Sequence, residues 1–274
     1  MKEHKFTWFR DFLERKSGIV INTDKAYLVK SRLAPLLEKY HKEDLNALIL
    51  SMKTQENSML ANEAIDLMTT NETLFFRDQY PFEALQTLIF PELKKAKSVA
   101  SPIRIWSAAS SRGQEAFSVA MVACESIANA KQKVKIIGTD LSDEAVAFAR
   151  RSVYSKAEVL RGMSAQRLEN FFKPLDNDWV VNDDLRRMVQ FDVANLVADR
   201  LVTQMRGFGS FDIVFLRNVL IYFGMDERKR VIDRIAKTMN RGGYLITGAA
   251  DIVRGNQSTW EKIEFKGKRI WKLL

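Results

Sequence analysis

Apolar positions in the first 75 residues recur at helical spacing. Phe9, Phe12 and Leu13 make one stripe, and Gly18 follows as a stop signal. A second helix is expected from about Asp24, with Val29, Leu33, Leu36, Leu37 and Tyr40 as its apolar face and Pro35 as a point of bending. Leu45, Leu48 and Ile49 mark a third helix, and Met59, Ala64, Ile65 and Met68 a fourth; a linker helix is expected over Pro81 to Leu93. After residue 100 short apolar runs alternate with helical segments. The runs are Ile103–Trp106, Val134–Gly138, Met188–Phe191, Phe211–Leu216 and Tyr244–Thr247; the helices are Gly113 to Ala130, Ser142 to Arg150 and Asp226 to Met239. This alternation predicts βαβ units and a doubly wound parallel sheet. Trp260–Phe265 and Arg269–Leu273, joined by Lys266-Gly267-Lys268, read instead as a closing antiparallel hairpin, which brings the strands to seven. Residues 152–187 break the rhythm and read as an insertion.

Composition narrows the class without choosing a function. The 274 residues are 46% hydrophobic and 28% charged, with five prolines and one cysteine, Cys124, so neither a disordered chain nor a disulfide scaffold is expected. No run approaches the roughly 18 apolar residues of a membrane span, and no apolar run follows the N-terminal charges as in a signal peptide, so a cytoplasmic protein is expected. The net charge is +9 and unevenly spread. Residues 1–42 hold ten Lys/Arg against five Asp/Glu, residues 43–75 one against six, and residues 76–274 hold 32 against 23. The helical part is therefore neutral but polarised. Lys25, Arg32 and Lys39, seven apart, form a basic stripe beside the apolar face of the second helix, which also reads as an ordinary solvated face.

Four segments carry candidate chemistry. In a doubly wound sheet, ligands sit at the carboxyl ends of the strands. The turn after the first strand, Trp106-Ser-Ala-Ala-Ser-Ser-Arg-Gly-Gln-Glu-Ala-Phe-Ser118, lacks the G-x-G-x-x-G of a phosphate loop and places Glu115 in the first helical turn. A carboxylate there suits a cationic ligand better than a pyrophosphate, although Glu near a helix N-terminus is also common helix-start chemistry. Asp140 ends the second strand, where an acidic residue accepts ribose hydroxyls. Ser142 is already a good cap for the next helix, which leaves Asp140 for a ligand. Arg217, Asn218 and Tyr222 are polar groups in the apolar stretch Phe211–Phe223, and buried polar groups need partners. Thr69-Thr-Asn-Glu-Thr-Leu-Phe-Phe-Arg77 joins the helical part to the sheet and reads equally as a polar linker anchored by aromatics.

Taken in order, Thr-Asn-Glu-Thr-x-Phe-Phe-Arg (70–77), the 106–118 turn, Gly-Thr-Asp-Leu-Ser (138–142), Asn195-Leu196 and Arg-Asn-Val-Leu-Ile-Tyr-Phe (217–223) resemble the chemotaxis receptor glutamate O-methyltransferases, the CheR family. The resemblance spans nearly the whole chain. It implies an α/β fold: a seven-stranded Rossmann-like S-adenosylmethionine-dependent methyltransferase sheet with a small β insertion, preceded by an all-α helical domain. The expected division is 1–75 helical domain, 76–99 linker helix and 100–274 methyltransferase domain with its insertion at about 152–187. By resemblance, Asn71, Thr73, Arg77, Glu115, Asp140, Asn195, Leu196, Arg217 and Asn218 would contact S-adenosylmethionine, and Arg77 and Tyr222 would line the methyl-transfer site. The Lys25/Arg32/Lys39 stripe would face the cytoplasmic helical bundle of methyl-accepting receptors, whose acidic methylation regions a basic enzyme would meet faster. S-adenosylhomocysteine would be the product. No metal, no nucleic acid partner and no membrane insertion are expected, and a monomer is expected.

Three departures stand out. Arg112 replaces a usual small residue, Gly248-Ala-Ala-Asp251 replaces the usual Gly-His-Ser-Glu, and the insertion carries Phe171-Phe-Lys-Pro-Leu-Asp-Asn-Asp-Trp179 where members that bind a receptor's C-terminal pentapeptide have a glycine-rich turn. The expectation is a member that uses no such tether. Two rival readings remain at this stage. One is a nucleic-acid methyltransferase, prompted by the charge, although Arg217-Asn-Val-Leu stands where an Asn/Asp-Pro-Pro-Tyr motif would be needed. The other is a non-catalytic regulatory module that binds S-adenosylmethionine or another nucleotide.

Overall fold

The computed structural model describes residues 2–96, 101–251 and 258–274. Four helices come first: α1 (Glu3–Ser17), α2 (Ala26–Lys39), α3 (Leu45–Thr54) and α4 (Met59–Met68). Their stripes meet in a core of Phe9, Phe12, Leu13, Val29, Leu33, Leu48, Ile49, Met52 and Ala64. Helix starts follow local chemistry. The Asp44 carboxylate accepts from Ala47 N at the start of α3, and the Ser58 hydroxyl accepts from Ala61 N at the start of α4. Gly18 ends α1 with φ 76°, its N–H bonding Glu14 O at 2.7 Å. A 3₁₀ turn over Thr23–Lys25 precedes α2, which runs unbroken through Pro35. The expected linker helix spans 80–96, with a π-helical stretch at Leu85–Ile89; positions 97–99 of the expected linker lie outside the described residues.

Ten strands follow: β1 (Ile103–Ala108), β2 (Val134–Asp140), β3 (Val153–Ser155), β4 (Phe172–Leu175), β5 (Asp178–Val181), β6 (Val189–Val193), β7 (Phe211–Leu216), β8 (Met239–Thr247), β9 (Trp260–Phe265) and β10 (Lys268–Leu273). Seven form one sheet in the order β6-β2-β1-β7-β8-β10-β9. The first five are parallel, and β10 runs antiparallel between β8 and β9. The central strands are covered on both faces, so they read as continuous apolar runs. Along β7, Ile213 and Phe215 join one core while Val214 and Leu216 join the other. The remaining three strands make a small antiparallel sheet, β3-β5-β4, inside the region that broke the sequence rhythm.

Two sequence expectations need adjustment. The helix expected over Gly113 to Ala130 is two, Gln114–Ser126 and Ala130–Lys133, with Asn129 in the left-handed region at φ 59° between them. The helix expected from Asp226 to Met239 ends at Ala236, because Met239 already belongs to β8 and pairs with Phe211.

Candidate functional site

The strand order reverses between β1 and β7, and a cleft opens at the carboxyl ends of the strands there. Asn71, Thr73, Arg77, Glu115, Asp140, Asn195, Leu196, Arg217, Asn218 and Tyr222 all line it, drawn from five separated stretches of chain.

Arg217 leaves the end of β7 with its side chain 2% exposed. Its Nη1 donates to Glu115 Oε2 at 2.7 Å, and its Nη2 donates to Asp78 Oδ2 and to Arg77 O, both at 2.8 Å. Ser107 Oγ donates to the other Glu115 oxygen at 2.7 Å. One guanidinium therefore serves two carboxylates, and the three groups keep a net negative charge that favours a cation above them. The turn holding Asp78 is bent into the left-handed region at Phe76 (φ 53°), Asp78 (φ 66°) and Gln79 (φ 38°).

Asp140 ends β2, nearly buried. Its Oδ2 accepts from Ser111 N at 2.8 Å and its Oδ1 from Ser142 N at 3.0 Å. Ser142 caps the following helix as expected, accepting from Ala145 N at 3.0 Å. Asp140 thus already has partners, yet each oxygen keeps a lone pair for a hydroxyl. Burial raises its carboxyl above the ordinary value, and the amides of Ser142 and Ser111 oppose that rise. The turn between β1 and its helix takes left-handed backbone at Ala109 (φ 60°), Ser111 (φ 51°) and Gly113 (φ 92°). A Cβ on Gly113 would meet Phe191 at 2.8 Å, so a glycine is required there on both counts.

The helical domain helps to build the cleft. Ser17 and Ile19 line it, Val20 N donates to Tyr222 O at 2.9 Å, and Ile19 bridges Phe223. Asn195 Nδ2 donates to Lys16 O at 2.6 Å and its Oδ1 accepts from Val197 N at 3.1 Å, so this side chain ties α1 to the strand ends. Ser111 Oγ donates to Asn71 O at 2.8 Å, joining the 70–77 segment to the first turn.

The basic stripe is not uniform. Arg32 turns inward, with Nη1 donating to Met68 O and Thr69 O at 2.7 and 2.9 Å and Nη2 to Thr70 Oγ1 at 3.1 Å. Lys39 pairs with Glu63 at 2.8 Å, while Lys25 is exposed. Arg32 therefore anchors the segment that enters the cleft. Arg112 lies 4.7 Å from the Phe148 ring centroid and 3.9 Å from Glu158, and it does not line the cleft. Asp78 and Arg32 escaped the sequence reading in these roles. Arg77 beside Asp78 offered a cue to the first, but left-handed turns and long-range pairings leave no local pattern.

Two polar atoms of cleft residues, Arg217 Nε and Ser110 Oγ, are buried without a hydrogen-bond partner among the described residues. Such atoms need a polar ligand or water. A molecule with an amino-acid end, a ribose diol and a cationic sulfur fits this donor set: the Arg217 edge and loop amides for a carboxylate, Asp140 for the diol, and the net negative Arg217 cluster for the cation. Among the described residues no cluster of three or more His, Cys, Asp or Glu is placed to hold a metal, and no helix is long and apolar enough to cross a membrane.

Comparison with known proteins agrees with this arrangement. A family model described as "CheR methyltransferase, SAM binding domain" matches residues 71–269, and one described as "CheR methyltransferase, all-alpha domain" matches residues 4–69. The chain is 38% identical over 281 residues to "Chemotaxis protein methyltransferase 1" of Vibrio cholerae, covering 100% of this chain and 98% of the relative. It is 36% identical over 264 residues to "Chemotaxis protein methyltransferase Cher2" of Pseudomonas putida, covering 94% of each. A cleft lined by all five ordered motifs, two matching family models and full-length relatives lead to one conclusion: the chain belongs to the CheR methyltransferase family.

Proposed function

We propose that this chain esterifies glutamate side chains of chemotaxis receptors with the methyl group of S-adenosylmethionine. The observation that carries the reading is the convergence of Asn71, Arg77, Glu115, Asp140, Asn195, Arg217 and Tyr222 on one cleft at the strand-order switch. S-adenosylmethionine, when bound, supplies an activated methyl group on a cationic sulfur. Asn71, Thr73, Arg77, Glu115, Asp140, Asn195, Leu196, Arg217 and Asn218 would hold it, Asp140 as acceptor for the ribose hydroxyls and the Arg217–Glu115–Asp78 cluster as counter-charge for the cation.

The acceptor asks little of the protein. A glutamate with a reference pKa of about 4.3 is a carboxylate at neutral pH, so no general base is needed. Charge is neutralised in the transition state, and a site that gripped the carboxylate too strongly would slow the step. Arg77 is half-exposed at the cleft, its Nη1 donating to Glu72 O at 3.1 Å, which leaves donors for an incoming carboxylate. Tyr222 is fixed through its backbone to Val20. Together these two residues orient the acceptor, and the surrounding apolar side chains Ile19, Leu74, Val219 and Phe223 exclude water.

The partner is the cytoplasmic helical bundle of a methyl-accepting receptor, met in the cytoplasm by a monomer of this chain. The turn between β4 and β5 holds no glycine, and its Asp176 takes φ 51° itself, which supports docking without a C-terminal pentapeptide tether. Peptide mapping of a receptor cytoplasmic domain after incubation with enzyme and S-adenosylmethionine tests the proposal. Methyl adducts on glutamate side chains are expected; adducts confined to other residues would overturn it.

A further inference from the structure

The loop after β8 holds a carboxylate that the reaction itself does not use. Asp251 is 8% exposed and does not line the cleft. Its Oδ2 accepts from Asn218 N at 2.6 Å and from Gly248 N at 3.0 Å. Asn218 and Gly248 are the residues where β7 and β8 give way to loop at the site's edge. Asn218 has φ 57°, a left-handed conformation that asparagine enters more readily than other non-glycine residues but that still costs more than a helical or extended one. That conformation turns the chain between Arg217, which grips Glu115 and Asp78, and Tyr222, which faces the cleft.

Gly248 completes the device. A Cβ there would lie 2.6 Å from Asp251 Oδ2 and 2.9 Å from Asn218 N, so only glycine lets the carboxylate reach both amides. Tyr80 adds a further tie at the same strand end, its hydroxyl donating to Thr247 O. The Asn218 and Tyr80 contacts fasten the end of β8 to the segments that carry Arg217 and Asp78, and the Gly248 contact closes the loop on itself. Among the described residues Asp251 Oδ1 has no hydrogen-bond partner, and Oδ2 carries the bridge between the two strand ends.

We propose that Asp251 is a positioning residue for cofactor binding: by holding the Asn218 and Gly248 amides on one oxygen, it fixes the left-handed turn that presents Arg217 and Asn218 to the cleft. The assignment rests on the reading that the cleft takes S-adenosylmethionine. The contact is made by this chain's Gly-Ala-Ala-Asp loop, whose carboxylate lies within reach of both amides.

Calorimetric titration of the full-length protein with S-adenosylmethionine, together with steady-state kinetics on a receptor cytoplasmic domain, tests it. Asp251→Ala is expected to weaken cofactor affinity at least tenfold while the receptor KM stays within twofold. Asp251→Asn keeps an accepting oxygen of the same reach and is expected within threefold of the unaltered chain. That split separates positioning from general destabilisation, which would move both constants and would not be rescued by the isosteric amide. Gly248→Ala pushes a methyl group against the same oxygen and is expected to weaken cofactor binding as Asp251→Ala does; it reads the bridge even where Asp251→Ala fails to fold. Unaltered affinity in both Asp251→Ala and Gly248→Ala would overturn the assignment alone. An unaltered chain that binds no S-adenosylmethionine would overturn the cofactor reading and this assignment together.

Discussion

Arg217 and Glu115 stand 102 residues apart in sequence and meet at 2.7 Å beneath the cleft, with side chains 2% and 12% exposed. Taking both ions out of water is costly, and their attraction repays that cost only when the remaining donors and lone pairs are met. Asp78, Arg77 O and Ser107 Oγ supply those partners for every group but Arg217 Nε, which has none among the described residues. Removing the guanidinium strands a buried carboxylate, so Arg217→Ala is expected to cost about 3–5 kcal/mol of stability in denaturant titration. Arg217→Lys keeps the charge but cannot reach three acceptors with one fork, and it is expected to recover only part of the loss. Unchanged stability in Arg217→Ala would show that the pair contributes nothing.

Arg77 and Tyr222 are assigned to the transfer step, so their variants should split kinetics from binding. Arg77→Ala and Tyr222→Phe are expected to lower turnover by about 10²-fold, the scale of a small misplacement of reacting groups. Cofactor affinity by calorimetry is expected to change only a few-fold. Near-normal turnover in both variants would remove that role.

Most of the fold and much of the cleft were legible in the sequence, for physical reasons. Strands buried on both faces must be continuous apolar runs, which exposed β1, β2 and β7. Polar residues at the end of such a run, as Arg217 and Asn218 are, must find partners or ligands, which exposed the site. Asp78, Asp251 and the inward turn of Arg32 were not legible. Each depends on a long-range contact or a left-handed turn, and neither has a spacing. The Lys25/Arg32/Lys39 stripe shows the limit most plainly, because period alone cannot tell a side chain that reaches solvent from one that bends back to Met68 O.

Acid should act on binding and stability in opposite senses at Asp140. Burial raises its carboxyl above the ordinary value, so the folded chain takes up this proton more readily than the unfolded chain. The group's contribution to stability is thus fully present below its unfolded value and is lost as pH rises through its folded value. A diol is accepted by the ionised form, so cofactor affinity is expected to fall as pH drops through the same raised value. Asp140→Asn is expected to bind weakly with that pH dependence abolished. Calorimetric titration across the acid range checks both, and identical pH profiles in the two proteins would contradict the ribose role.

Gly162 tests the coupling between the insertion and the 70–77 segment. It takes φ +98°, and an added Cβ would lie 2.1 Å from Phe75 O. Gly162→Ala is expected to lose on the order of 1–2 kcal/mol from left-handed backbone alone, with the clash adding to it. Displacement of Phe75 should also loosen Asn71 and weaken cofactor binding. A wild-type melting curve with wild-type affinity would show that the contact relaxes without cost.

The central claim is methyl transfer to a receptor carboxylate, and the most direct measurement is the chemical fate of the methyl group. The enzyme is incubated with methyl-labelled S-adenosylmethionine and a receptor cytoplasmic domain, and the labelled receptor is then treated with base. Label on the receptor that is released as volatile methanol, the behaviour of a carboxyl ester, is expected. Label that withstands base, or that appears only on nucleic acid, would contradict it.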